Sequence, residues 1–131
     1  MSVLVDTSVW VDHFRNGNPA LVHLLTRDAV LMHPYVLGEL ACGTPPAPRQ
    51  RTLADLARLR AATQARHAEL LDFIEREALY GLGCGMVDVS LLAATLLTPQ
   101  AQLWTLDKRL HALAQRLGAA YVPAPYGISS Q

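Results

Sequence analysis

The stretch Val3-Leu4-Val5-Asp6-Thr7-Ser8 decides how the rest of the chain is interpreted. Its three apolar residues form an uninterrupted aliphatic run, as expected for a strand that is buried on both faces of a sheet. An acid, Asp6, follows directly, and a helical pattern starts just after it. Open α/β sheets bind their ligands outside the carboxyl ends of the strands, so Asp6 is a candidate site residue. The alternative is that Asp6 only caps the following helix.

Short apolar strands alternate with helical patterns along the rest of the chain. This alternation predicts an α/β fold in which helices cover both faces of a mostly parallel sheet of four to five strands. Gly118 is expected to end the last helix in a left-handed conformation. The further predicted strands are 29–32, 61–65, 101–105 and 119–122, and the predicted helices are 8–15, 19–26, 34–42, 50–60, 67–79, 86–97 and 107–117.

Length and composition favour a single domain with a sizeable core. The chain has 131 residues, of which 51% are hydrophobic and 17% charged, so we expect residues 1–131 to form one domain, with 123–131 as a loose tail. Cys42 and Cys84 form no CxxC pair and are predicted to be reduced core thiols of a cytosolic protein. Neither a charged leader nor a run of 18 apolar residues occurs, which predicts a cytoplasmic protein without a membrane span.

Two helices that are otherwise apolar each carry one lone acid. Glu39 is the only charged residue in 33–48, and Asp88 is the only one in 85–94. Glu39 is predicted to be buried, where an unpaired carboxylate costs several kcal/mol unless it is neutralised. A salt bridge to a distant arginine is the alternative for Glu39. For Asp88 the alternative is a favourable interaction with the helix dipole, worth roughly 0.3–1 kcal/mol.

A fourth acid, Asp107, follows an apolar strand just as Asp6 does. Because parallel strands end at the same edge of a sheet, these two acids are predicted to lie near each other, although Asp107 is also a good helix N-cap. Carboxylates about 4 Å apart repel by roughly 4 kcal/mol per pair at an effective dielectric near 20. A divalent cation would relieve this repulsion, and a set of oxygen ligands fits Mg²⁺ or Mn²⁺. No HxxxH pair occurs, and all five histidines are predicted to lie at the surface.

The net charge of zero hides an excess of arginine outside the four acids. Without those acids, the chain has 11 basic residues against seven acidic ones, and ten of the basic residues are arginines. Arginine suits phosphate because of its planar donor fork, so the pattern permits RNA binding, with a solvated helix face as the alternative. Five of these residues lie close together in the sequence: Arg49, Arg51, Arg58, Arg60 and Arg66.

Four segments closely resemble the VapC-type PIN-domain toxins, and the resemblance covers essentially the whole chain. It implies an α/β/α sandwich with metal-dependent endoribonuclease activity on RNA, a frequent homodimer, and a small VapB-like antitoxin as partner. The acids Asp6, Glu39, Asp88 and Asp107 match the acidic positions of that family. Ser8 and Thr105 match positions that often carry supporting polar residues, whereas Met86 departs from a position that is commonly aromatic. The segments are Asp6-Thr7-Ser8-Val9-Trp10-Val11-Asp12-His13, Pro34-Tyr35-Val36-Leu37-Gly38-Glu39-Leu40, Gly81-Leu82-Gly83-Cys84-Gly85-Met86-Val87-Asp88 and Trp104-Thr105-Leu106-Asp107.

Two other functions agree with parts of the sequence. A phospho-acceptor signalling domain also gathers acids at strand ends, but it needs a lysine on a later strand, and Lys108, the only lysine, stands at a predicted helix start. A non-catalytic relative that only binds RNA or a partner is the other alternative. The presence of all four acids favours the hydrolase, in which metal-bound water replaces a side-chain nucleophile.

Overall fold

Four parallel strands form the centre of the fold. The computed structural model describes residues 1–124, and its sheet has the strand order β3-β2-β1-β4. All neighbouring strands pair in parallel, with Val3 beside Val30 of β2 and Val5 beside Trp104 of β4. The strands are β1 (Ser2–Val5), β2 (Val30–Met32), β3 (Arg60–Ala61) and β4 (Ala101–Trp104).

Seven helices in the described residues flank this sheet, which confirms the predicted three-layer α/β/α sandwich. Helix α3 contacts α1 and α4, whereas α5 contacts α6, and α6 and α7 pack on β4. Between residues 1 and 124, no helix is both long and apolar enough to cross a membrane. The helices are α1 (Thr7–Asn16), α2 (Pro19–Thr26), α3 (Pro34–Cys42), α4 (Arg49–Ala57), α5 (His67–Arg76), α6 (Met86–Leu97) and α7 (Lys108–Arg116).

Burial in the core follows the apolar runs of the sequence. Val3, Leu4 and Val5 have no exposed surface, as predicted for a central strand that is covered on both sides. Helix α6 is buried from Val89 to Thr95, which explains why its sequence is apolar nearly all round. Asp6 and Asp88 are therefore attached to elements that form part of the buried core.

The predicted fifth strand is reduced to a single bridge. Gly118 has the expected positive φ, +72°, and it turns the chain back towards the sheet. Only Leu103 and Ala120 then pair, because Pro123 has no N–H with which to extend the ladder. The strand predicted at 61–65 is instead the two-residue β3. Of the predicted tail, 123 and 124 have no regular structure, and 125–131 lie outside the described residues.

Two predictions about single side chains are wrong. Cys42 is exposed at the end of α3 and Cys84 is half-buried, so only the latter touches the core. His33 is buried instead of lying at the surface, because its ring packs on Tyr35 and caps α3. Its Nδ1 accepts a hydrogen bond from the Tyr35 N–H at 3.0 Å. Burial lowers the pKa of His33 below its ordinary value of 6.5.

The lowered pKa of His33 predicts a loss of stability in mild acid. Below about pH 6.5 the unfolded chain binds a proton at His33 that the folded chain resists, so the free energy of unfolding falls as the pH drops. His33→Asn keeps an N-cap acceptor but removes the titration. Melting temperatures measured from about pH 8 to about pH 5 should therefore fall further for the wild type than for His33→Asn. The exposed His67, changed to Asn, is the control, and equal pH dependence of all three proteins would contradict the prediction.

Candidate active site

The carboxyl ends of β1 and β4 form the crevice in which the candidate site lies. The chain runs outward from β1 through β2 to β3 and then returns to β4 on the other side of β1. Such a reversal of strand order is where open α/β sheets bind their ligands. Because Val5 pairs with Trp104, the next residues, Asp6 and Thr105, come side by side, and the Asp6 N–H donates to the Trp104 carbonyl at 2.9 Å.

Asp6 is buried and held by two hydroxyl groups. Its Oδ2 accepts hydrogen bonds from Ser8 Oγ at 2.8 Å and from Thr105 Oγ1 at 2.7 Å. The two hydroxyls in turn accept the N–H groups of Leu106 and Asp107, each at 3.0 Å. Each hydroxyl therefore gives its single proton to Asp6, and the 3.3 Å approach of Ser8 Oγ to Thr105 Oγ1 needs no hydrogen bond. Both bonds fall on Oδ2, which leaves Oδ1 for another ligand.

Asp107 and Asp88 stand at the starts of two helices. Asp107 caps α7, with its Oδ1 accepting from the Leu110 N–H at 2.9 Å, so the alternative interpretation of this residue is also realised. Asp88 lies in the first turn of α6, where its Oδ2 accepts a long hydrogen bond of 3.4 Å from the Gly85 N–H. One carboxylate oxygen of each acid is thus engaged with the backbone.

Arg109 connects the elements that carry these two acids. Its Nη1 donates to the Gly83 carbonyl at 2.9 Å, so the loop before α6 is tied to the first turn of α7. Gly83 has a φ of +82°, and a Cβ atom there would lie 2.8 Å from Arg109 Nη1. Position 83 therefore favours glycine for its backbone conformation, and a larger residue there would also displace the Arg109 guanidinium.

Glu39 is exposed, and its predicted burial is wrong. Helix α3 buries only Val36 and Leu40, whereas the side that carries Tyr35, Glu39 and Cys42 is exposed. The Oε1 of Glu39 accepts a hydrogen bond of 2.6 Å from Thr7 Oγ1. Thr7 was not among the site residues predicted from the sequence, although its position directly after Asp6 could have indicated it.

The electrostatics show that the four acids share one neighbourhood. The pKa of the Asp88 carboxyl is raised, first by partial burial and then by the negative charges of Asp107, Asp6 and Glu39, while the Gly85 N–H lowers it. In residues 1–124 the ion pairs involve three other acids, so each of these four carboxylates lacks a cationic partner. The alternative interpretation of Glu39, a salt bridge to an arginine, is thereby excluded for the described residues.

The donor set fits a hard divalent cation, although the side chains do not form a complete coordination cage. Within 1–124, no three His, Cys, Asp or Glu side chains converge closely enough to enclose a metal ion. Carboxylate oxygens are nevertheless the ligands that Mg²⁺ and Mn²⁺ prefer, and Glu39 is exposed enough to change rotamer. The residues therefore fit the cation by charge and ligand type.

Three of the five arginines in the predicted cluster make contacts with other residues of the protein. Arg60 bonds to the Asp28 carbonyl, Arg66 pairs with Glu69, and Arg49 donates to the Ala41 carbonyl at the end of α3. Arg51 on α4 and Arg58 just after it are exposed, and neither makes such a contact with the described residues. All five arginines are nevertheless exposed, so their positive charge still faces solvent.

Comparison with known proteins gives one clear relationship. The chain is 42% identical over 118 residues to proteins named Ribonuclease VapC32 from two strains of Mycobacterium tuberculosis, CDC 1551 / Oshkosh and ATCC 25618 / H37Rv. The match covers 90% of this chain and 94% of each relative. No protein-family model matches the chain. The shared region includes nearly all of the described sandwich.

The hydroxyl of Thr105 is predicted to stabilise the fold through Asp6 and Asp107. Thr105→Val keeps the shape of the side chain but leaves the Asp107 N–H without its acceptor, so we expect a loss of about 1–3 kcal/mol in the free energy of unfolding. Thr105→Ser keeps the hydroxyl and should lose less. Thr63→Val, at an exposed threonine, should stay within about 0.5 kcal/mol of the wild type. Urea unfolding measures all three, and a Thr105→Val protein as stable as the wild type would refute this role.

Proposed function

The chain belongs to the VapC ribonuclease family, and from this we propose that it is the toxin of a VapBC-like toxin–antitoxin pair. In this proposal residues 1–131 form one PIN-like domain that acts as an endoribonuclease in the cytoplasm and hydrolyses phosphodiester bonds of RNA. The site residues are Asp6, Glu39, Asp88 and Asp107, supported by Ser8 and Thr105.

One observation carries the proposal: the negative charge at the crevice is not compensated by the described residues. Three carboxylates raise the pKa of the fourth, and none of the four is paired with a cationic side chain there. A cluster that served only stability would be expected to include arginine or lysine. An uncompensated cluster in a ligand-binding crevice is instead suited to a divalent cation and a phosphate ester.

Asp6, Glu39, Asp88 and Asp107 would hold one or two Mg²⁺ or Mn²⁺ ions. The chemistry that such ions supply is polarisation of the phosphate and a lower pKa of the attacking water. The raised pKa of Asp88 means that its carboxyl keeps a proton to a higher pH than an ordinary aspartate, and a bound cation would favour the ionised form.

The hydroxyl groups at the site orient the acids and do not attack the substrate. Ser8 Oγ gives its proton to Asp6 and accepts the Leu106 N–H, so both of its hydrogen bonds serve to hold the carboxylate in place, and no histidine contacts it among the described residues. Thr105 makes the corresponding pair of bonds. Together they fix the carboxylate plane of Asp6 and leave its Oδ1 directed away from these bonds. Pre-organisation of this kind lowers the cost of placing charge in the transition state.

We further propose that the antitoxin binds in a groove beside α4. A cavity of about 260 Å³ there is lined by apolar side chains that include Trp10, Leu25 and Leu59. Arg51 and Arg58 flank the lining residues of α4 in the sequence and would attract an acidic antitoxin segment. We also propose a homodimer, for which the exposed Leu96 and Leu97 offer apolar surface, and light scattering of the purified chain tests it.

The first prediction from this function concerns metal and Glu39. Mg²⁺ or Mn²⁺ should be required for cleavage of RNA. The metal should also raise the melting temperature, because a metal concentration of roughly 100 times the dissociation constant adds about 2.7 kcal/mol to the free energy of unfolding. Glu39→Gln should lower cleavage about a hundredfold or more and reduce the shift with metal. Its metal-free melting temperature should match the wild type, because Glu39 has no cationic partner among the described residues.

Glu75→Gln is the matched control, since Glu75 is exposed on α5 and has no assigned contact. It should cleave RNA and respond to metal like the wild type. Undiminished cleavage in excess chelator would exclude the metal mechanism. Binding of RNA without any cleavage would favour the non-catalytic alternative.

The second prediction concerns the antitoxin groove. Asp55 is exposed and lines the groove, so Asp55→Tyr should obstruct it without disturbing the core. We expect this change to weaken binding of the product of an adjacent antitoxin gene by about tenfold or more, which is roughly 1.4 kcal/mol. Asp72→Tyr, at an exposed position of α5, is the control. Unchanged affinity of Asp55→Tyr, measured by calorimetry, would place the antitoxin elsewhere.

A further inference from the structure

A cavity of about 320 Å³ opens directly beside the acidic cluster. Glu39 belongs to both, since it lines this cavity and lies among the four acids. The volume falls within the range of about 300–1,000 Å³ that is usual for small-ligand sites. The walls come from the last turns of α1, the end of α3 and the loop after it, and they include Phe14, Arg15, Gly43, Thr44 and Pro45.

The loop that closes the cavity is held in place by hydrogen bonds. Arg49 Nη2 donates to the Ala41 carbonyl at 2.6 Å, and Thr52 Oγ1 donates to the Pro46 carbonyl at 2.8 Å. The opposite wall is equally fixed, because Phe14 packs on Trp10 with ring centroids 6.0 Å apart. The cavity is therefore formed before any ligand arrives, which lowers the entropy cost of binding.

The lining of the cavity combines apolar side chains with one guanidinium group that has no partner among the described residues. Phe14 and Pro45 provide the apolar part. Arg15 is exposed and makes no hydrogen bond or ion pair with the described residues, in contrast to Arg49, Arg60 and Arg66. An unengaged guanidinium next to aromatic and proline surfaces suits a planar, polar-edged ring that is attached to a phosphate.

We propose that this cavity binds one nucleobase of the RNA strand, adjacent to the phosphate that lies at the acidic cluster. The inference rests on the proposed ribonuclease function and adds to it a subsite that reads the substrate. Single-stranded RNA offers unstacked bases that bind on aromatic side chains and arginine planes. Because Glu39 is common to both sites, a strand whose phosphate reaches the acids passes the mouth of the cavity with its neighbouring nucleotide.

The cleavage test uses a short RNA that carries a mapped cleavage site, and copies in which the nucleotide on either side of the scissile bond lacks its base. Stacking contributes about 1–3 kcal/mol per base, so one of the two abasic RNAs should lower kcat/KM of the wild type by about tenfold. Thr44→Trp, which fills the cavity from an exposed position, should lower kcat/KM for the intact RNA similarly. The abasic change should then cost this variant nothing more, because the two losses remove the same contact.

Thr63→Trp, the same change at an exposed threonine outside the cavity, should behave like the wild type. Arg15→Gln should lower kcat/KM, and Arg58→Gln, which removes an equal charge elsewhere, should have a smaller effect. Melting temperatures confirm that the variants are folded. The proposal would be overturned if the abasic RNA lowered kcat/KM of Thr44→Trp by the same factor as that of the wild type. It would also be overturned if kcat/KM of the wild type were unchanged with both abasic RNAs.

A second measurement is independent of cleavage. Nucleoside 5′-monophosphates added to the isotope-labelled protein should shift the backbone resonances of Gly43 and Thr44, whereas ribose 5-phosphate, which lacks the base, should not. Equal shifts with ribose 5-phosphate, or none with any nucleotide, would overturn the base-binding subsite even if the protein cleaves RNA. Failure to cleave any RNA, with these shifts present, would instead overturn the ribonuclease function and leave the subsite standing.

Discussion

The structure depends on how four negative charges are tolerated at one edge of the sheet. Within residues 1–124, each carboxylate accepts hydrogen bonds only from neutral donors: the hydroxyls of Thr7, Ser8 and Thr105, and the N–H groups of Gly85 and Leu110. Neutral donors stabilise an ionised carboxylate without cancelling its charge. Since no arginine or lysine of the described residues pairs with any of the four acids, the cluster keeps its field. The raised pKa of Asp88 reports the remaining repulsion.

Much of this arrangement could be predicted from local sequence. The central strand, the buried helix α6 and the bounds of α3 follow from uninterrupted apolar runs and from Pro34 at a helix start. The parallel topology then brings Asp6 and Asp107 to the same edge. For Glu39 the predicted burial was wrong, because the exposure of a short apolar helix depends on what packs against it. His33 and Cys42 were misjudged for the same reason.

The contacts that organise the site could not be predicted in this way. The Asp6–Thr105 hydrogen bond joins residues 99 positions apart and exists only because β1 and β4 pair in one register. A shift of one residue would remove it. Likewise, the arginines between Arg49 and Arg66 looked alike in the sequence, and only tertiary structure separates those that bond carbonyls or acids from those that remain free.

Helix α3 shows how one short element can serve two purposes. Its inner face packs Val36 and Leu40 into the core, its outer face supplies Glu39 to the acids, and its last turn forms a wall of the neighbouring cavity. Changes in the loop after α3 can therefore alter the cavity while the acids stay in place.

The pairing of the first strand with the last has a consequence for biosynthesis. Synthesis delivers β1 with Asp6 first, and Thr105 follows 99 positions later in the chain, with Asp107 and the α7 turn that holds Arg109 after it. Until β4 and Thr105 have been made, Asp6 lacks both the neighbouring strand β4 and the Thr105 hydroxyl, which is one of its two hydroxyl donors. The acidic crevice is thus completed only after β4 and the start of α7 have been made, and a nascent or truncated chain that ends before β4 does not contain it.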